Sequence, residues 1–148
     1  PTNLYGPNDN FDLKSSHVLP AMIRKFHEAK LNGNAQVELW GTGSPMREFL
    51  HVDDLGQAVL FALENKLDEH LYNVGTGMDL TIKELATLIQ SKVGHKGEII
   101  WDSTKPDGTP RKLMDNSKIQ MQGWKAKIEI STGVETVYNW FKTISTHE

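Results

Sequence analysis

The sequence predicts an α/β fold, because short apolar runs at strand spacing alternate with longer amphipathic runs at helical spacing, and Gly, Pro, Asn or Asp punctuates the junctions. One domain accounts for it. At 148 residues, 38% of them hydrophobic, the chain can bury one core and is short for two ordinary domains. The net charge of -3 is spread over interspersed signs, which leaves no basic stripe for nucleic acid, and no apolar run approaches the ~18 residues that span a bilayer. A soluble, cytoplasmic protein without nucleic-acid or membrane partners is expected. The absence of cysteine excludes disulfides and zinc thiolates.

Taken in order, residues 1–10 are rich in Pro, Gly, Asn and Asp and read as a loop leaving a strand. Ser15 or Ser16 is placed to cap a helix that runs to about Leu31, with Val18, Leu19, Met22, Ile23 and Phe26 buried and Gly33 as its stop. Pro20 falls in the first turn, where its missing amide has no helical acceptor to lose. Val37 and Leu39 alternate with polar neighbours up to Trp40, the pattern of a half-buried strand, and Phe49, Leu50 and Val52 resume an extended run. Asp53 or Asp54 is expected to cap a helix with the stripe Leu55, Ala58, Val59, Ala62 and Leu63. Residues 71–77 read as a short strand ending in a glycine turn, with its pairing partner outside this chain. Thr81 and Glu84 form a capping box before a helix with Ile82, Leu85, Ala86, Ile89 and Val93 on one face, which Gly94 ends. A strand at 98–101, a polar loop at 102–112 and a short helix around 117–122 follow. A second capping box, Thr132 and Glu135, opens a last helix with Val134, Val137, Tyr138, Phe141 and Ile144 inward.

The chemistry concentrates in Trp40-Gly41-Thr42-Gly43-Ser44-Pro45-Met46-Arg47-Glu48-Phe49-Leu50-His51-Val52-Asp53-Asp54, where a strand end, a glycine turn, an arginine and a helix start adjoin. Gly41 and Gly43 are not a dinucleotide fingerprint, since the third glycine and an immediate helix are both missing. Arg47, held between ordered elements, suits a phosphate or carboxylate through its planar fork; an ion pair with Glu48 or an aspartate is the alternative. Trp40 suits either filling a core at the strand end or covering a sugar or base. His17, at a helix start, meets a partial positive charge that disfavours imidazolium and that a bound pyrophosphate would offset, leaving it able to give and take protons. Histidines 27, 51, 70, 95 and 147 lack the spacings of a metal site, so none is expected.

The run Trp-Gly-Thr-Gly-x-Pro-x-Arg-Glu-Phe-x-His-Val-Asp-Asp resembles the hallmark of the extended short-chain dehydrogenases that act on nucleotide sugars. The opening Pro1-Thr2-Asn3-Leu4-Tyr5-Gly6-Pro7-Asn8-Asp9-Asn10-Phe11 and the later Lys105-Pro106-Asp107-Gly108-Thr109-Pro110-Arg111-Lys112 narrow the resemblance to NADPH-dependent epimerase-reductases of GDP-4-keto-6-deoxy-D-mannose. By that resemblance, residues 1–148 are the C-terminal substrate-binding lobe of a Rossmann-type, homodimeric enzyme. Its glycine-rich dinucleotide turn and Tyr-x-x-x-Lys pair would lie upstream, with residues 1–10 and 71–77 touching that domain. Tyr138 and Lys142 have the right spacing but sit in an amphipathic helix, where the match is chance. The resemblance implies NADP(H) contacts from Pro1, Thr2, Asn3, Leu4 and His17, with His17 also the acid of the epimerisation. It further implies GDP-sugar contacts from Lys25, Trp40, Arg47 and Asp107, with Arg111 and Lys112 close to the phosphates. Lys25 stands where arginine is the family's expected residue, so it offers a point charge without the fork. The rival functions are another nucleotide-sugar epimerase or dehydratase, and a module that binds nucleotide sugar without catalysis.

Overall fold

Two small sheets and five helices make up the computed structural model, which describes residues 1–68 and 70–145. In chain order they are β1 (Asn3–Tyr5), α1 (Val18–Leu31), β2 (Gln36–Trp40), β3 (Met46–His51), α2 (Val52–Glu64), β4 (Asp79–Thr81), α3 (Ile82–Val93), β5 (Glu98–Asp102), β6 (Arg111–Lys112), α4 (Ser117–Met121) and α5 (Ile130–Ser145). β3 is the hub of the first sheet. Its second half pairs in parallel with β1, and its first half lies between antiparallel β4 and parallel β6. β2 and β5 form a separate parallel pair.

The core lies where α1, α3 and α5 converge, with Leu19, Ile23, Phe26, Leu85, Ile89 and Val134 almost completely buried. These residues recur at helical spacing in each segment, so one stripe per helix is withdrawn from water, at roughly 1.5–3 kcal/mol for each fully buried large side chain. The Thr81–Glu84 capping box forms in both directions, and Gly94 takes the left-handed conformation that ends α3. α2 differs. Of its expected stripe only Ala58 is buried, while Val59 and Leu63 are 54% and 79% exposed, so its apolar side faces away from this core.

Several local expectations are corrected. Residues 3–5 of the anticipated loop form β1, because β3 offers them a parallel ladder. Ser15 turns back to bond Asp12, leaving His17 as the N-cap of α1 without a side-chain cap. β3 begins at Met46, so Arg47 lies within a strand, and Val52 already belongs to α2. The N-cap of α2 is His51, whose ring nitrogen accepts from the Asp53 amide at 3.2 Å. Asp54 is buried and accepts the amides of Lys127 and Ile128 instead. Residues 71–77 form no strand; Val74 accepts one hydrogen bond from Thr2, too little for a ladder. Within the expected loop 102–112, Arg111–Lys112 is recruited as β6 by Met46 and Arg47. α5 starts at Ile130, ahead of Thr132, and Glu135 reaches across to Lys92 at 2.6 Å in place of closing a capping box.

Candidate functional site

A cavity of about 720 Å³ opens beside β1 and the start of α1, lined by Thr2, Asn3, Leu4, His17, Arg47 and Phe49 among others. It therefore unites most of the expected cofactor stretch with His17 and Arg47, residues up to 45 positions apart in sequence. The parallel pairing does this. Asn3 sits opposite Phe49, and the Asn3 side-chain amide donates to the Glu48 carbonyl at 2.8 Å, with the Thr2 hydroxyl on the same oxygen at 3.4 Å. Pro1 is exposed just outside the lining. His17 is exposed, and among the described residues its side chain makes no capping bond to the first turn of α1, a helix start whose partial positive charge suits an anion.

Arg47 is half-buried, its Nη1 donating to the Met46 carbonyl at 2.7 Å. Among the described residues it makes no ion pair. The alternation of side chains along β3 explains this, since it turns Glu48 to the opposite face. Lys112, the register partner of Arg47 on β6, adds a second cation beside it, whereas its neighbour Arg111 is held by Asp79 through two bonds of 2.6 and 3.1 Å.

Lys25, Trp40 and Asp107 lie outside that cavity's lining, at the end of β2. Trp40 is 66% exposed, which decides against the core-filling role. Lys25 sits 6.0 Å from its ring centroid while donating to the Glu38 carbonyl at 3.0 Å, and Lys105 sits 5.6 Å from the same ring. Asp107 closes the glycine turn: its carboxylate accepts the Thr42 amide at 2.6 Å and the Thr42 hydroxyl at 2.7 Å. Those bonds, the amide first, hold its carboxyl below the usual value. Gly41 has φ +81°, and a Cβ there would come within 2.3 Å of Asp107, so only glycine permits the closure.

Sequence reasoning weighed Glu48 only as an ion-pair partner for Arg47 and gave Lys105 no role of its own. A glutamate inside an apolar strand was the available signal for the first; nothing local distinguished Lys105 from the other charges of its loop. Among the described residues no three metal-ligating side chains converge and no helix is long and apolar enough to cross a membrane. His147 lies outside them.

Residues 1–75, just over half the chain, match the sequence pattern of the NAD dependent epimerase/dehydratase family. The chain belongs to that family. Over 141 residues it is 58% identical to the probable GDP-L-fucose synthase 1 of Oryza sativa subsp. japonica, a match covering 95% of this chain and 43% of the rice protein. GDP-L-fucose synthase of Escherichia coli K12 is 47% identical, with 95% of this chain and 47% of that protein covered. Among solved structures, a GDP-L-fucose synthetase from Naegleria fowleri bound to NADP superposes with a TM-score of 0.91 at 27% identity, over 99% of this chain and 46% of the other. The chain thus spans less than half the length of these two curated relatives.

Proposed function

We propose that this chain is the substrate-binding half of an NADPH-dependent epimerase-reductase that converts GDP-4-keto-6-deoxy-D-mannose into GDP-L-fucose. The observation that carries the reading is the shared cavity of Thr2, Asn3, Leu4, His17 and Arg47, a proton-transfer group and an anion-binding fork facing one space. Its volume suits a cofactor end together with a sugar. The uncapped start of α1 and the polar Thr2–Asn3 stretch fit NADP(H), which would supply the hydride that reduces the ketone.

In this reading Pro1 to Leu4 line the nicotinamide end, and His17 moves a proton at a carbon flanking the ketone as an enolate forms and collapses. Arg47 and Lys112 hold the diphosphate, the fork fixing its orientation and the ammonium adding charge. Lys25 lies on the same nucleotide, Trp40 covers it, and Asp107 contacts the GDP moiety from the turn it closes. The exposed apolar side of α2, with Val59, Leu60 and Leu63, supplies a face for the remainder of the enzyme, which carries the dinucleotide turn and the Tyr-x-x-x-Lys pair. Residues 1–10 and 71–77 meet that domain, and a cytoplasmic homodimer belongs to the same reading.

The test is NADPH consumption with GDP-4-keto-6-deoxy-D-mannose, followed by product analysis. The full-length protein is expected to form GDP-L-fucose and the isolated 148-residue chain to do nothing. Turnover by the isolated chain, or none by the full-length protein, would refute the proposal.

A further inference from the structure

Glu48 is fully buried on β3, although a carboxylate is costly to bury unless its oxygens find donors. Here both do. Oε1 accepts the Gly77 amide at 2.8 Å and the Thr76 hydroxyl at 3.4 Å, and Oε2 accepts the Met114 amide at 3.1 Å. The chain passes so close at Gly75 that a Cβ there would lie 2.3 Å from Oε1. The main chain of the same residue is used differently: its carbonyl takes Asn3 and Thr2 of the cavity wall. One residue therefore holds the cofactor-side stretch through its backbone and two remote loops through its carboxylate.

We propose that Glu48 is a positioning residue for the nucleotide sugar: by fixing Gly77 and Met114 behind β3, its carboxylate keeps Lys112 on β6 in register with Arg47. This rests on the function proposed above. The bond to Met114 anchors the end of the segment carrying Asp107 and Lys112, two residues beyond Lys112 itself. Glutamine cannot replace it, because one amide oxygen cannot serve both loops and its NH2 would face a backbone N–H. The carbonyl that holds Asn3 and Thr2 survives any substitution, so the effect must be lopsided.

Calorimetric titration of the full-length protein with GDP and, separately, NADPH reads that asymmetry. Glu48→Gln should weaken GDP about tenfold, the scale of one hydrogen bond to a charged group, and leave NADPH within about twofold. Glu48→Asp, which keeps the charge but withdraws it by one methylene, should show the same split and replaces the glutamine variant if that one does not fold. In the unaltered protein, amide exchange at Gly77 and Met114 should slow on adding GDP and stay constant on adding NADPH. Equal loss of both affinities, unchanged GDP binding in a folded variant, or equal protection by both ligands would overturn the inference. Failure of the unaltered protein to bind GDP would remove the proposed function as well, which separates the two failures.

Discussion

The two ends of the candidate site are built on opposite principles. At the cavity end, His17 is an exposed N-cap with no side-chain capping bond, and among the described residues Arg47 bonds its own neighbour's carbonyl and no carboxylate. At the rim beyond β2, the side chains are already engaged: Lys25 with Glu38 and Trp40, Asp107 with both donors of Thr42. A group left free can move a proton or grip a ligand, while one already bonded mainly shapes the surface it belongs to. Substitutions at the cavity end should therefore change rate or intrinsic affinity, and those at the rim should combine a lost ligand contact with a larger effect through local order.

His17→Gln offers the largest test, since glutamine keeps a hydrogen bond but exchanges no proton. In the full-length enzyme it should slow epimerisation by about 10²–10⁴ with little change in substrate affinity. Solvent deuterium entering beside the ketone reports this step; an unchanged exchange rate would take His17 out of the chemistry. Arg47→Ala should weaken GDP about tenfold to a hundredfold, as expected for a charge-assisted bidentate contact, and Arg47→Lys should restore part of it. Unchanged affinity with a lowered melting temperature would make Arg47 structural. Asp107→Ala removes the acceptor for Thr42 and should cost about twofold to tenfold in GDP affinity, with faster amide exchange at Thr42. If affinity falls while Thr42 stays protected, the contact of Asp107 with GDP outweighs its hold on the turn, and the contrast between the two ends is weaker than drawn.

The smallest effect lies outside both ends. Burial, reinforced by Lys30 and Lys142, holds the His27 imidazole below its ordinary value. The folded chain therefore binds that proton less readily than the unfolded chain. Its contribution to stability is present above about pH 6.5, the ordinary imidazole value, and is lost as pH falls through the depressed folded value. Melting temperatures of the unaltered protein and of His27→Gln, followed downward from pH 7, should converge in acid. Parallel curves would show that His27 carries no such penalty.

Three helices were legible because their stripes and stops are local: α1 with Ile23 and Phe26, α3 with its capping box and Gly94, α5 with Val134 and Val137. The pairing of β1 with β3 was not, since three residues hold too little pattern to name a partner. Pro1, Lys25, Trp40 and Asp107 of the family motifs lie outside the cavity's lining, but the presence there of Thr2, Asn3, Leu4, His17 and Arg47 was legible. The cavity's geometry was not, because the approach of Thr2 and Asn3 to Arg47 depends on a ladder between segments more than 40 residues apart.

The sequence by itself therefore determined the α/β class, the helical core and the residue types available to hold phosphate and move a proton. Periodicity and side-chain chemistry travel with the chain wherever it goes. Only the tertiary structure decided that His51 caps α2, that Arg47 lacks a carboxylate partner among the described residues and that Glu48 ties Gly77 to Met114. Each of these depends on which face of β3 a side chain takes and on which distant backbone amides arrive there, and strand pairing sets both.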